Sequence, residues 1–368
     1  MKKICLIAGT RPNFMKIAPL INEVKKHRDI KYILIHTGQH SDIEMSDYFF
    51  KDLDIPKPTI NLNISNGNQT NKIWKFFGFL KEFPRLILFY IKTKPDVVVV
   101  VGDVTSTLYC ALVAKLVGIK VAHVEAGLRS NNKKMPEEFN RVYTDKISDF
   151  LFVTEEDALV NLKKEGIQQN KIFFVGNIMI DSLVLKLSEA KKSKILENLN
   201  LNKKEYCVLT LHRVENIENK EVLKNLLESI KEVQNHIKIV WSLHPRTKFQ
   251  LEKFGFIRYT ELPGIILTKS LGYLDFLCLV YNSKFVLTDS GGIQEETTYL
   301  SIPCLTMRTE TERPITIKIG TNTMVYLDKN KIIEESIKII NGNIKKGTIP
   351  RYWEGKTSRR IINVLKSI

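Results

Sequence analysis

The chain has 368 residues, 43% apolar and 26% charged, which is longer than one hydrophobic core usually spans and unlike a disordered polymer. Its 56 Lys and Arg against 40 Asp and Glu give a formal net charge of +16, yet the lysines spread over predicted helix faces and no basic block interleaves with aromatics, so nucleic acid is not indicated. No apolar stretch approaches the ~20 residues of a membrane span, and Cys5, Cys110, Cys207, Cys278 and Cys304 lie singly, at neither metal nor redox spacing, which fits a reducing cytoplasm and no zinc site.

The N-terminus MKKICLIAGTRP is basic and then apolar. Its apolar run of about five residues is shorter than the roughly 7–15 of a signal peptide, so it reads as a first strand. Further strands are predicted at Ile33–His36, Val97–Val101, Val121–Val124, Leu151–Val153 and Ile172–Val175. A second series follows at Tyr206–Thr210, Ile239–Ser242, Ile265–Leu267, Phe285–Thr288 and Cys304–Met307. Helical patterns separate most of them, which predicts an α/β protein with parallel sheets covered on both faces. The five valines Val97–Val101 suit a central strand buried on both sides. The pattern weakens over Leu183–Lys204, so the boundary is placed near Asp181, giving domains 1–180 and 181–354. Gly355–Ile368 reads as one helix with Ile361, Ile362, Val364 and Leu365 on its apolar face. Two Rossmann-like domains would present their strand ends to a cleft, and open α/β sheets bind ligands outside those ends.

The chemistry-bearing residues lie at strand ends. Gly9-Thr10-Arg11-Pro12 opens a helix whose N-terminus favours an anion, with Arg11 and Lys16 adding two cations. It is neither a dinucleotide fingerprint nor a Walker sequence, so no nicotinamide cofactor or ATP is expected. Val97–Val101 runs into Gly102-Asp103, Val121–Val124 into Glu125-Ala126-Gly127-Leu128-Arg129, and Met135-Pro136-Glu137-Glu138 follows, with Arg141 close behind. Carboxylates that converge at a sheet edge push one another's proton affinities apart and so supply an acid and a base. The competing reading makes Asp103 a helix cap and pairs the glutamates with Arg129 and Arg141. In the second half, His212-Arg213 and His244-Pro245-Arg246 end strands and suggest anion contacts; they lack the spacing of a helical zinc pair. Thr288-Asp289-Ser290-Gly291-Gly292 turns into a helix whose free amides suit a diphosphate, and Glu296, one turn on, could accept from ribose hydroxyls. Thr309–Pro314, taken alone, reads as a solvated loop ending in Arg313.

Gly9-Thr10-Arg11-Pro12 with Lys16, Gly102-Asp103, His123–Arg129, Met135–Glu138, Leu211-His212-Arg213, Asp289–Glu296 and Thr311–Pro314 together resemble the non-hydrolysing UDP-N-acetylglucosamine 2-epimerases, in order and over nearly the whole chain. The resemblance implies two Rossmann-like domains in a GT-B-type arrangement with a cleft between them, the C-terminal helix 355–368 rejoining the first domain. It implies a homodimer and no metal or redox cofactor. The reaction interconverts UDP-N-acetylglucosamine and UDP-N-acetylmannosamine by elimination of UDP to 2-acetamidoglucal and re-addition. By that resemblance Asp103, Glu125 and Glu137 are catalytic carboxylates and His212 serves near the leaving diphosphate. Arg11, Lys16, Arg141, His244, Ser290, Gly291, Gly292, Glu296 and Arg313 match positions around UDP and sugar, and Phe276 matches a backbone contact to uracil. Two segments depart from the family's allosteric-site pattern by lacking an arginine: Gln39-His40-Ser41-Asp42 and Asn68-Gln69-Thr70.

Rival readings are a 2-epimerase of UDP-2,3-diacetamido-glucuronate, a hydrolysing epimerase, a GT-B glycosyltransferase and a non-catalytic UDP-sugar sensor. Closure of the domains around UDP is expected of such an enzyme. Trp74–Ile91 carries apolar residues in more directions than one stripe, and Pro84 is expected to break or kink the helix. The resemblance places this segment at a dimer contact, in preference to a membrane surface.

Overall fold

The computed structural model describes residues 1–38, 52–62, 72–132 and 135–368, without the side chains of Arg11 and of 72–81. The expectations resting on 39–42, on 68–70 and on the side chains of Arg11, Trp74, Phe76, Phe77, Phe79 and Leu80 therefore lie outside the described residues. The chain divides into two compact units, Met1–Leu185 with Arg351–Ile368, and Lys186–Pro350.

The first unit is built on a sheet of β1 (Lys2–Ala8), β2 (Ile30–His36), β3 (Ile60–Asn61), β4 (Val97–Val101), β5 (Lys120–Ala126), β6 (Phe150–Val153) and β7 (Ile172–Phe174). Their order is β3-β2-β1-β4-β5-β6-β7, and every pairing is parallel. Parallel neighbours need crossovers, and α1 (Arg11–Val24), α2 (Lys72–Thr93), α3 (Thr105–Leu116), α4 (Pro136–Ile147) and α5 (Glu156–Lys164) lie in them, while α6 (Ile178–Ala190) follows β7, the last strand. All five valines of β4 are buried, as a strand covered on both faces requires. The chain winds outward from β1 in one direction and from β4 in the other. Adjacent crossovers therefore leave the sheet on opposite faces and open a crevice at the strand ends between β1 and β4.

Two expectations change here. The helix α2 continues through Pro84. A proline removes one backbone donor, and Pro84 is exposed, while Leu86 and Tyr90 are buried and Phe83, Ile87 and Phe89 pack on the same core. Leu88 and Ile91 face outward, 66% and 54% exposed. The boundary also moves. Asp181 accepts from the Thr357 and Ser358 amides at 3.0 and 2.7 Å, capping the C-terminal helix Thr357–Ser367, so it belongs with the first unit. Trp353 is buried there as well, its indole N–H donating to the Thr154 carbonyl at 3.2 Å. The division consequently falls at Leu185/Lys186 and Pro350/Arg351.

The second unit carries β8 (Tyr206–Thr210), β9 (Lys238–Ser242), β10 (Ile265–Thr268), β11 (Phe285–Thr288), β12 (Cys304–Thr306) and β13 (Asn322–Met324). Their order is β10-β9-β8-β11-β12-β13, again all parallel. Its longer helices are α7 (Lys220–Val233), α8 (Pro245–Phe254), α9 (Tyr273–Asn282), α10 (Gly291–Leu300) and α11 (Lys329–Ile340). The helix α7 shows why such segments form: Asn219 caps its first amides, and Leu223, Leu226, Leu227 and Ile230 recur at helical spacing on one buried face. That face packs with Leu209, Trp241 and Leu287. The reversal of strand order here lies between β8 and β11. Only the short outer strands β3 and β13 had no apolar run to announce them.

Candidate active site

In the first unit, the crevice between β1 and β4 is knit by Asn13. Its side-chain oxygen accepts from the Gly9 and Thr10 amides at 3.1 and 3.0 Å, and its amide nitrogen donates to the Val101 carbonyl at 3.0 Å. This fixes the turn after β1 to the end of β4. One turn further along α1, Lys16 reaches inward and donates to Glu125, forming an ion pair buried on both sides. Glu125 occupies the left-handed region at φ 72°, where β5 slips register against β6 between Val124 and Ala126. A non-glycine residue there is strained, and a bulge re-aims the side chain it carries. The strain is held because the carboxylate has a buried cation to meet. Gly102 is required at the adjacent turn: its φ is 68°, and a Cβ would stand 2.8 Å from the Lys16 amine.

Asp103 is gripped by Arg141 of α4, whose Nε and terminal nitrogen each lie 3.0 Å from Oδ2. Arg141 also donates to Glu138 at 2.5 Å, and Asn140 donates to the Asp103 carbonyl at 2.9 Å. Glu138 accepts in addition from the Ser130 and Asn131 amides at 2.9 and 3.0 Å. Neighbouring glutamates of one helix turn thus part company. Glu138 is buried and holds the loop; Glu137 is half-buried and has no hydrogen-bond or ion-pair partner among the described residues. The simple ion-pair reading fails in detail, because Arg129 pairs with Asp145 and Glu165, both at 2.7 Å, and Glu125 is neutralised by Lys16.

In the second unit the switch between β8 and β11 carries Asp289. Its Oδ2 accepts from the His212 and Arg213 amides at 2.9 and 2.8 Å, and its Oδ1 lies 2.9 Å from His212 Nδ1. Burial pushes this carboxyl up, but the His212 ring and the amides outweigh it and hold it below the usual range. The contact holds the His212 ring through Nδ1. His244 caps α8, its Nδ1 accepting from the Arg246 amide at 3.1 Å, and its ring stands 5.8 Å from that of His212.

Ser290 begins α10 without a side-chain cap, so the first amides of that helix are left to another acceptor. Gly291 lets the Glu312 carboxylate approach: a Cβ would lie 2.8 Å from it. Thr309–Pro314 proves not to be solvated at its far end. Glu312 and Arg313 are buried, with Arg308 2% exposed just before them. Arg308 meets Glu312 at 2.8 Å, Arg313 meets Glu295 at 2.6 Å, and Thr311 donates to Gln294 at 2.8 Å. On α10, Glu296 is buried and accepts from the Tyr273 hydroxyl at 3.1 Å. Burial raises its carboxyl to about 7, opposed by the Tyr273 bond and assisted by Glu295. Phe276 is half-buried on α9, its amide donating to the Gly272 carbonyl at 3.1 Å. Among the described residues no group of three or more His, Cys, Asp and Glu could hold a metal ion.

The family described as UDP-N-acetylglucosamine 2-epimerase matches residues 22–366. The chain belongs to the UDP-N-acetylglucosamine 2-epimerase family. It is 44% identical over 373 residues to a UDP-N-acetylglucosamine 2-epimerase homolog of Methanococcus maripaludis, covering 100% of both chains. It is 36% identical over 370 residues, again with 100% of both covered, to a UDP-2,3-diacetamido-2,3-dideoxy-D-glucuronate 2-epimerase of Pseudomonas aeruginosa. Among solved structures, the UDP-GlcNAc 2-epimerase of Methanocaldococcus jannaschii in complex with UDP-GlcNAc and UDP superposes with a TM-score of 0.90 at 41% identity over the whole of both chains.

Within this epimerase fold, Lys16, Glu125, Asp103 and Arg141 form one cluster at a sheet edge. His212, Ser290, Gly291, Glu296 and Arg313 collect at the corresponding edge of the second sheet, with His244 beside His212. Sequence reasoning gave no role to Asp289, Tyr273 or Glu312. For Asp289 the signal was its place directly after a buried strand; for the other two only packing reveals the partner.

Proposed function

We propose that this chain is an isomerase that interconverts UDP-N-acetylglucosamine and UDP-N-acetylmannosamine, and that Asp103, Glu125 and Glu137 are its catalytic carboxylates. The observation that carries the reading is Glu125, a buried carboxylate set in strained backbone and paired with Lys16. A carboxylate takes the C2 proton, the electrons of that bond form the C1–C2 double bond, and the C1–O bond to UDP breaks. The products of this half are 2-acetamidoglucal and UDP. Return of a proton to the opposite face of C2, with re-attack of the UDP oxygen on C1, gives the epimer. C2 is neither oxidised nor reduced overall, so the chemistry calls only for acid–base groups and for stabilisation of the departing diphosphate.

The open first amides of α10, at Gly291 and Gly292 beside Ser290, receive that diphosphate, and Glu296 accepts from the ribose. His212, oriented by Asp289, donates toward the leaving group; His244, Arg313, Arg11, Lys16, Arg141 and the Phe276 backbone complete the contacts to UDP and sugar. The protein works as a homodimer through first-unit helices that include 74–91. Supporting this, Leu88 and Ile91 of α2 and Leu112 and Leu116 of α3 are exposed, and the two helices pack together. Charging Leu88 and Ile91 should yield monomers by light scattering; folded dimers would discard the interface. A cytoplasmic setting fits five buried, unpaired cysteines, and no described helix is long and apolar enough to cross a membrane.

The deciding experiment is incubation with UDP-N-acetylglucosamine in deuterated water, followed by NMR. Epimerised UDP-sugar with deuterium at C2 is expected. Retention of the original hydrogen at C2 in the epimer sinks the elimination route, and stoichiometric free UDP with N-acetylmannosamine would mean a hydrolysing enzyme. Turnover confined to UDP-2,3-diacetamido-2,3-dideoxy-glucuronate would assign the sugar of the Pseudomonas relative.

A further inference from the structure

Besides the carboxylates proposed to act on the sugar, the first unit holds a second polar chain, buried at its centre, that the proposed reaction does not touch. His123, on the interior strand β5, is buried completely. One ring nitrogen, Nε2, stands 2.9 Å from the Gly102 carbonyl and the other, Nδ1, 2.6 Å from Asp145 Oδ1. A carbonyl only accepts, so Nε2 donates to it. Asp145, also fully buried, takes the Gly127 amide at 3.0 Å and Arg129 at 2.7 Å on its other oxygen. Burial pushes the Asp145 carboxyl up, but His123 and Arg129 outweigh it and keep it below its ordinary range. Arg129 then continues to Glu165, at 2.7 Å through two nitrogens, and to the Leu128 carbonyl at 2.7 Å.

The placement of these contacts is what gives them meaning. Gly102 is the residue before Asp103, and its carbonyl is the last backbone acceptor before the Asp103 turn. His123 and Gly127 bracket Glu125 by two residues on each side. Asp145 sits on α4, the helix that opens with Glu137 and carries Arg141. One chain of hydrogen bonds therefore joins the three segments that present Asp103, Glu125 and Glu137. A strained residue such as Glu125 persists only where its surroundings over-determine it; His123 lies two residues before it, and Asp145 holds the amide of Gly127, two residues after it. A core of this shape could have been closed by apolar side chains, which are usually as stable as a buried ionic network; polar atoms instead reach two active-site turns by their backbones.

We infer that His123 and Asp145 are positioning residues: together with Arg129 they brace the Gly102-Asp103 turn and the strained Glu125 in the geometry that proton transfer at C2 requires. The inference rests on the proposed epimerase reading, so its test has one arm that needs no turnover.

The full-length protein would be compared with His123→Leu, His123→Gln, Asp145→Asn and the double variant His123→Leu/Asp145→Asn. Hydrogen exchange followed by mass spectrometry reads the brace directly. In His123→Leu and Asp145→Asn, exchange should rise in 102–106 and 126–130 while β8, β9 and α7 of the second unit stay as in the parent. In the activity arm, kcat for deuterium entry at C2 should fall by about 100-fold, the scale on which a misplacement of about 1 Å acts. UDP affinity by calorimetry should change less than about threefold, because the diphosphate turn lies in the other unit; such a kcat-only loss marks an interaction needed in the transition state. His123→Gln, which can still donate to the Gly102 carbonyl, should recover part of the loss. The double variant should lose no more than the worse single one, as members of one unit do. Unaltered exchange in both segments, or kcat within twofold of the parent in a folded His123→Leu protein, overturns the inference. So does additive loss in the double variant. A parent protein that epimerises no UDP-sugar, with variants that still show the exchange pattern, would sink the functional reading while leaving the brace standing. If His123→Leu does not fold, Asp145→Asn and His123→Gln carry both arms, with the same thresholds.

Discussion

The two sheet edges prepare for opposite charges by different means. In the first unit the groups proposed to act are side chains: Lys16 pairs with Glu125 and Asp103 with Arg141, and three of the four are buried. In the second unit the groups proposed to hold the diphosphate are backbone amides at the start of α10, and the buried carboxylates around them, Glu295, Glu312 and Asp289, are matched by Arg313, Arg308 and His212. The lesson is one of rigidity. A site that moves protons needs titratable groups held at fixed mutual distances, and under the proposed reading the strained backbone of Glu125 belongs to that arrangement. A site that holds a diphosphate needs unpaired N–H groups and a fixed helix end, which a glycine turn gives without a strained side chain.

The sharpest break would come from the first edge. Glu125→Gln keeps the shape and removes the charge, and deuterium entry at C2 should drop by about 1,000-fold, within the range general acid–base groups supply. UDP affinity, measured by calorimetry, should hold within a few-fold. An equal loss of UDP binding would show that the two edges are not separable in this way.

A stability difference comes next. Lys16→Met leaves the Glu125 carboxylate buried without its ammonium partner. Removing one member of a buried pair destabilises by about 3–5 kcal/mol, which denaturant unfolding would register. Lys16→Met/Glu125→Leu should recover most of that stability and none of the activity. A double variant as unstable as the single one would mean that the pair is not the source of the effect.

The second edge is expected to yield smaller numbers. Asp289→Asn weakens the hold on His212 Nδ1 and the two amides, and the corresponding loss for supporting hydrogen bonds around a reactive group is about 10–100-fold in turnover. A change below twofold in the folded variant would show that His212 needs no such orientation.

The smallest effect is a pH dependence. Burial raises Glu296 to about 7 from its ordinary 4.5, so between those values the folded unit keeps a proton that the unfolded chain has released. Its contribution to stability is full below pH 4.5 and is lost as pH rises through 7. Without UDP, Glu296→Gln should therefore melt above the parent at pH 8 and close to it at pH 4.5. Tyr273→Phe, which removes the hydroxyl that donates to this carboxyl, should lower stability by about 1 kcal/mol. Identical melting differences at both pH values would remove Glu296 from the account.

What the sequence determined by itself is the order of strands and crossovers and the places where polar loops end them. Apolar runs such as Val97–Val101 and Tyr206–Thr210 and the glycine turns at Gly102 and Ser290-Gly291-Gly292 are local patterns, and they survive in the structure at those positions. Strand alternation also implied parallel sheets, because parallel neighbours must be joined by crossovers. Partner choice is not local, and only the tertiary structure decided it. Glu137 and Glu138 are adjacent and chemically alike, yet one meets Arg141 and the Ser130 loop and the other does not, because successive helix residues point about 100° apart. Arg129 reads as a counter-ion for Glu125 and instead holds Asp145, since the bulge at Glu125 turns that side chain toward Lys16, 109 residues away in the chain. The end of the polar run before Pro314 reads as solvated, yet Glu312 and Arg313 are buried, because they are matched by Arg308 and by Glu295 of α10. Pro84 reads as a break or a kink, and the helix is not broken there, because burial of Leu86 and Tyr90 outweighs one lost backbone bond. In each case the residue type set what chemistry was available, and the packing of distant segments chose which partner received it.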